Sequence, residues 1–224
     1  MKTNMLKLLS LSLVVVLDAA PCFAFDATLI EQTKKTGECG DCDFSGADLA
    51  GVDFEGANLD EAVFSQANMA KANLGKTYID KGKFLGTQLP GANLQSSHLD
   101  GCNFSKANLE GANLSGSTLP KAKFNGAVLR NANLSFIDSN RLDLRDTDLT
   151  KANFKRSALK HALLIGAKLE GADFRGADLR GAISKTVQGY NTNSTTIEDA
   201  DVLLTCDYLK SAGALYDETT RCEK

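Results

Sequence analysis

The stretch Ala47-Asp48-Leu49-Ala50-Gly51-Val52-Asp53-Phe54-Glu55-Gly56-Ala57-Asn58-Leu59 sets a large apolar residue at every fifth position, and the same beat continues outward on both sides. From Phe44 to Leu179 the site is Phe, Leu, Ile or Met in all but one of 28 repeats, across 136 residues without a slip of register; the exception is Ser139. A period of five fits neither the 3.6-residue turn of a helix nor the two-residue alternation of a strand. The chain must therefore bend once per repeat. Units this small cannot bury their own apolar face and must stack on their neighbours, which is the logic of a solenoid.

A second period counts the bends in one turn. Phe44, Phe64, Phe84, Phe104 and Phe124 recur at intervals of 20, as do Leu49, Met69, Leu89, Leu109, Leu129, Leu149 and Leu169. Asn73, Asn93, Asn113, Asn133 and Asn153 keep the same interval, as an amide ladder between in-register strands requires. One turn thus has four faces, and seven turns spaced by parallel strand pairing make a column about 34 Å long. The faces are numbered by the files that start at Phe44, Leu49, Phe54 and Leu59.

Two residues before each apolar site stands a small residue, such as Ala47, Ala57, Ala67, Thr77, Ser97 or Cys102. One bulky and one small inward residue per face fill a narrow coil at native density. Where the bulky site is lost at Ser139, the small site becomes Ile137; one face later Leu142 and Leu144 replace the usual Ala and Phe. Both changes roughly conserve volume, the kind of swap cores tolerate. Gly46, Gly51, Gly56, Gly86, Gly91 and others recur two residues after the apolar sites, where corners need unusual dihedrals.

The units Ala47-Asp48-Leu49-Ala50-Gly51, Ala112-Asn113-Leu114-Ser115-Gly116 and Ala177-Asp178-Leu179-Arg180-Gly181 resemble the A-(D/N)-L-x-x motif of the pentapeptide-repeat family, and the resemblance covers residues 42–183. It implies an all-β fold, a right-handed quadrilateral parallel β-helix of about seven four-sided coils. It implies no single biochemical activity. Some members of the family mimic DNA and bind DNA gyrase, which demands a strongly anionic column and a cytoplasmic address. This solenoid carries 17 Lys and Arg against 16 Asp and Glu. The reading is therefore a non-enzymatic structural or protein-interaction module with an unidentified protein partner and no nucleic acid; the alternative is the DNA-mimic binder of an enzyme such as gyrase. A monomer or an end-to-end dimer is expected.

The flanks differ in kind. Lys2 and Lys7 flank an apolar run from Leu8 to Leu17, followed by Ala19-Ala20-Pro21-Cys22-Phe23-Ala24. A run of about ten apolar residues is too short to span a bilayer, and small residues at Cys22 and Ala24 suit cleavage before Phe25. Residues 1–24 read as a secretory signal peptide, with a lipid anchor at Cys22 as the competing reading. The mature chain is expected in the periplasm, a lumen or the extracellular space, with no membrane insertion. A solenoid must cap its open strand edges. Residues 25–41 form the N-terminal cap, with Asp26 heading a short helix that lays Leu29 and Ile30 on the first turn and stops at Gly37. Residues 184–224 form the other cap: after a polar linker over 188–196, Ile197 and Ala200-Asp201-Val202 resemble one more repeat out of frame. Val202 to Leu209 and Ala214 to Tyr216 suit a hairpin, favoured by the cysteine-closed tails of exported family members. A helix from the capping box Thr195-x-x-Glu198 is the runner-up.

Export makes disulfides permissible. Cys39 and Cys42 stand just before the first turn, and Cys206 and Cys222 bracket the tail. The two pairs lie at opposite ends of a column about 34 Å long, whereas zinc holds its thiolates at ~2.3 Å, so a shared four-cysteine site is excluded. The expected pairs are Cys39–Cys42 and Cys206–Cys222, with Cys102 a buried free thiol. A redox role for Cys39-Gly40-Asp41-Cys42 stands beside the structural bracket.

No catalytic motif is visible, and His98 and His161 lie about three turns apart. The local candidate for binding is the fourth face, where Asp60, Asp80 and Asp100 should stack beside Tyr78 and His98. Three carboxylates in file repel, which a Ca²⁺ ion or a cationic partner would relieve; the plainer reading is a solvated corner neutralised by Lys76 and Lys81. Outward Leu85, Phe136, Leu163 and Ile165 are a second candidate, for protein contact.

Overall fold

A computed structural model of the chain describes residues 27–186 and 201–222. The signal segment, the Asp26 cap, the 188–196 linker and the repeat-like Ile197 and Ala200 lie outside the described residues. From Glu38 to Ile183 the chain is a stack of parallel bridges joining one residue of each repeat to its counterpart 20 positions on: Asp43 to Val63, Asp48 to Asn68, Asp53 to Asn73, Asn58 to Tyr78, and so on upward. The faces are single bridges rather than extended strands. The apolar residues donate their N–H groups to the turn above, all but Leu169 with a partner among the described residues, as Phe44 does to Val63 O at 2.7 Å and Leu49 to Asn68 O at 2.6 Å.

The inward shell follows from the beat. All 28 sites are buried, Ser139 included, and so is Ile137 beside it. Phe44, Phe64, Phe84, Phe104 and Phe124 stack with ring centroids 4.5–5.1 Å apart and planes within 14°. Small polar residues enter this core only with a hydrogen-bond acceptor, as buried hydroxyls must. Thr87 Oγ1 donates to Phe64 O at 2.6 Å, Ser97 Oγ to Leu74 O at 2.7 Å, Ser117 Oγ to Leu94 O at 2.7 Å, and Ser139 Oγ to Leu119 O at 3.0 Å. Cys102 is free and buried, its Sγ 2.8 Å from Ile79 O, and burial pushes its thiol far up from its ordinary pKa.

The polar residue of the repeat has a local task. Its side-chain oxygen accepts the N–H two residues on, as in Asp43 with Ser45 at 2.9 Å and Asn133 with Ser135 at 3.2 Å, and so fixes the approach to the corner. Most corners then close with a bond such as Ala47 N to Phe44 O, 3.1 Å, around a residue with φ between 55° and 74°. Glycine marks only part of these corners. Lys71, Phe136, Arg141 and His161 occupy the left-handed region too, at a cost of about 1–2 kcal/mol each that the surrounding ladder overrides.

Both ends are closed. Helix α1, Ala27–Thr36, stands where the N-terminal cap is expected; Leu29 and Ile30 pack on the core, and Gly37 ends the helix with φ 70° and a bond to Thr33 O. The C-terminal hairpin is not formed. Strand β1, Ile183–Thr186, pairs antiparallel with β2, Asp201–Leu203, and Cys206–Ser211 is helix α2. Thr205 caps α2 by accepting Tyr208 N at 3.2 Å, which draws the supposed first hairpin strand into a helix. The second supposed strand lies on the coil instead: Leu215 bridges Asp173 and Arg221 bridges Asp178, both parallel. The tail thus wraps part of an eighth turn over the open edge. Cys39 pairs with Cys42 and Cys206 with Cys222, as expected.

Candidate functional site on the fourth face

The fourth face keeps its inward shell uniform and varies outside it. Its outward residue before the apolar site runs Asn58, Tyr78, His98, Thr118, Asp138, Ala158, Asp178, and the residue after runs Asp60, Asp80, Asp100, Pro120, Asn140, Lys160, Arg180. Tyr78 and His98 do come together as expected: their rings stack at 4.6 Å and 8°, with Tyr78 half exposed.

The Asp file relieves its repulsion differently from the expectation. Asp60 Oδ1 accepts Asp80 N at 2.8 Å, and Asp80 Oδ1 accepts Asp100 N at 3.1 Å, so each carboxylate caps a backbone donor of the turn above. The next donor would come from residue 120, which is proline and has no N–H. Asp100 Oδ1 is accordingly buried without a partner, as is Thr118 Oγ1 nearby. Burial, with the Asp80 charge adding to it, pushes the Asp100 carboxyl above its ordinary value. Lys81 interacts with the charges of Asp60 and Asp80, yet neither Lys76 nor Lys81 bonds to them directly. Their ammonium groups bind Glu55 and Glu61, each at 2.7 Å. Among the described residues no group of three or more His, Cys, Asp or Glu is placed to hold a metal ion. The calcium site foreseen at Asp60, Asp80 and Asp100 therefore lacks a ligand set: the carboxylates stand one turn apart in file, and those of Asp60 and Asp80 each commit an oxygen to the next N–H.

Toward the other end the same face turns basic. Asp178 is gripped by Arg180 through two bonds of 2.7 and 2.8 Å, with Lys160 at 3.8 Å and Arg221 at 4.0 Å from the same carboxylate. Among the described residues, three cations gather around this one carboxylate. On the third face, Arg175 holds Asp173 at 2.6 and 2.9 Å and Lys155 adds a contact of 3.1 Å. The Arg175 hydrogen bonds bring the Asp173 carboxyl down from 3.8 to about 2, against an opposing push from burial. A motif of Asp, one apolar residue and Arg, repeated at Asp143, Asp173 and Asp178, builds these forks; it was present in the sequence and carried no expectation there.

The second candidate does not assemble into one surface. Leu85 is 42 % exposed and Phe136 58 %, but Leu85 is on the first face and Phe136 at the corner after the third, under Arg156 at 5.9 Å. Leu163 and Ile165 share the first face with Leu85, four turns away.

Residues 38–114 match the family model described as a pentapeptide repeat region, and residues 107–138, 129–164 and 143–181 match the model of pentapeptide repeats in eight copies. No curated protein matches the chain. Among solved structures, the chain is similar to QnrB1, a plasmid-mediated fluoroquinolone resistance protein, at 24 % identity over 65 % of this chain and 73 % of that one, with a TM-score of 0.47. It is also similar to HetL of Nostoc sp. strain PCC 7120, a pentapeptide repeat protein involved in heterocyst differentiation regulation, at 24 % identity over 70 % and 91 % of the two chains, TM-score 0.24. A pentapeptide repeat protein of the Arabidopsis thaliana thylakoid lumen shares 27 % identity over 66 % and 73 %, TM-score 0.16.

Proposed function

Because the chain belongs to the pentapeptide-repeat family, we propose that it is a non-enzymatic column, its coil right-handed as in that family, that presents a rigid polar surface to a protein partner in an exported compartment. One observation carries the reading. Inward residues are spent on packing and the outward residues of the repeat on hydrogen bonds to neighbouring residues and turns, so what the described column offers is a surface rather than a reactive site. The export part rests on the Lys2 to Ala24 sequence and agrees with cysteine bridges at both ends, which an oxidising compartment sustains.

Mass spectrometry of the exported protein is expected to find Phe25 at the N-terminus, and non-reducing peptide mapping to find both bridges. Retention of residues 1–24, or free thiols at Cys206 and Cys222, sinks the exported reading. A DNA supercoiling assay with purified gyrase is expected to show no inhibition by the column. Inhibition at stoichiometric concentration transfers the proposal to the DNA-mimic alternative.

A further inference from the structure

We propose that the first face docks peripherally on a bilayer surface rich in anionic lipid, with its lysines on the lipid phosphates and Leu85 in the headgroup layer. The other faces are left to the protein partner. Shape is the first support. The outward file from Asp43 to Ile183 is bridged at every step of 20, so the face is one continuous wall. Phe44 to Phe124 stack behind it with successive ring planes within 14°. From Lys83 to Leu163 the wall runs about 19 Å at parallel strand spacing. A flat wall meets a flat bilayer along its whole length.

Charge is the second support. Lys83 and Lys123 stand on this face, Lys121 and Arg141 on its edge with the fourth face, and Lys106 on its edge with the second. All are exposed, and among the described residues none is within ion-pair distance of a carboxylate. The acids of the same surface are mostly engaged. Arg145 grips Asp143, Lys81 holds Glu61, and Asp43 feels the Lys83 charge from two turns below while its carboxylate accepts Ser45 N. Asp146, on the edge with the second face, is the acid that remains. Asp80, Asp100 and Asp138 belong to the fourth face, across the corner.

Apolar side chains complete the surface. At the outward positions beside the apolar sites, Val, Leu or Ile stands at Val63, Leu85, Leu163 and Ile165 on this face and elsewhere only at Val128. Leu85 is 42 % exposed in the same turn as Lys83. An aliphatic side chain among lysines suits the boundary of headgroup and acyl chain, where lysine stems lie along apolar surface and their ammonium groups reach phosphate. A folded protein fits this face less well. Protein interfaces deplete lysine and favour arginine and aromatic residues, whereas only Arg141 among these cations is not lysine and no outward residue of the face is aromatic.

Each cation should contribute roughly fivefold to the partition coefficient. In cosedimentation with vesicles at about 0.1 M salt, the oxidised protein is expected to bind phosphatidylcholine containing about 30 % phosphatidylglycerol at least about tenfold more tightly than phosphatidylcholine alone, and to be released at about 1 M salt. K121Q/K123Q should weaken binding about 25-fold. K71Q/K151Q makes the same change of charge at the diagonal corner and should weaken it less than about threefold. Both should keep the circular dichroism of the parent. Since the chain has no tryptophan, L85W provides a single reporter, whose emission should shift to the blue and be quenched by brominated lipid. F136W, at the corner between the third and fourth faces, should show neither change. Absence of binding to the anionic vesicles overturns the proposal. So does an equal loss in the two double variants, or an L85W emission that stays unmoved while the protein is vesicle-bound. Binding to soluble heparin without binding to vesicles also overturns it, and assigns the face to a soluble polyanion.

Discussion

The third and fourth faces share a backbone and an inward shell, yet Asp173 on the third and Asp100 on the fourth shift in opposite directions. On the third face the outward file is an amide ladder, with Asn93, Asn133 and Asn153 each donating to the Asn one turn below at 2.8–3.2 Å, and it ends at Asp173 under the Arg175 fork. On the fourth face no two successive turns repeat a residue in the file from Asn58 to Asp178, and the neighbouring Asp series stops where Pro120 withholds a donor. Asp173 is held low by the donors around it, Asp100 high by burial and the neighbouring Asp80 charge. The coil is thus specified from inside, and the chemistry of a face is decided by whether the next turn supplies the matching group.

If the inside is equivalent, deleting it should cost the same on either face. Leu114→Ala under the third face and Leu119→Ala under the fourth are expected to lose about 2–5 kcal/mol each, and to agree within about 1 kcal/mol, since both side chains are fully buried in the same turn. Urea unfolding of the two variants measures this. A large gap between them would break the equivalence.

The fourth face also holds the one flaw in the beat, and it offers a sharper trial. Ser139→Leu should overfill the core beside Ile137 and destabilise by about 1–3 kcal/mol, despite restoring the consensus. Adding Ile137→Ala, which restores the large and small order of every other turn, should recover most of that loss. Calorimetric melting of the single and double variants decides it; a stabilising single S139L would mean that the site was under-filled rather than compensated.

These two faces also show what the sequence makes legible. The fivefold beat and its twentyfold sorting specify the inside because every inward site faces the same constraint, repeated from Phe44 to Leu179. The bridges Cys39–Cys42 and Cys206–Cys222 were legible from the separation of the two ends. The tail was not, since the short apolar run Val202 to Leu209 suits a strand until Thr205 is recognised as a helix cap, with Asp207 in the first turn and Lys210 in the last. The Asp file was legible as a file but not in its consequence. Repulsion between carboxylates suggested a cation, whereas the structure satisfies Asp60 and Asp80 with backbone donors. Pro120, 20 residues beyond Asp100, was the signal that the series must end there.

The acids themselves test the difference by pH. Asp173 has a folded value below its unfolded one, so its stabilisation is present above about pH 4 and is lost as pH falls through about 2. Asp173→Asn should therefore cost about 1–2 kcal/mol at neutral pH, the upper part of that range being reduced by the solvent exposure of Arg175 and Lys155. The cost should vanish near pH 2. Denaturant melts of parent and variant across that window check it, and a cost independent of pH would assign Asp173 a packing role instead.

The smallest expected change in stability, and the most direct reading of the fourth face, comes from Pro120→Ala. The substitution supplies the backbone N–H that the Asp100 carboxylate lacks, in the place where Asp80 N serves Asp60 and Asp100 N serves Asp80. In the parent the folded state binds the Asp100 proton more tightly than the unfolded chain does. Asp100 therefore adds stability as pH falls from its raised folded value toward 3.8, and that addition is absent at neutral pH. With the new donor, the carboxylate form is favoured and the Asp100 titration should move down to or below the ordinary carboxylate range. The gain of one hydrogen bond and the loss of proline's restraint on the unfolded chain, roughly 0.4–1 kcal/mol, nearly cancel, so the melting temperature should shift little. NMR titration of the Asp100 carboxyl reads the outcome without relying on stability. An unmoved titration would mean that burial alone, rather than the missing donor, sets this acid apart from those below it.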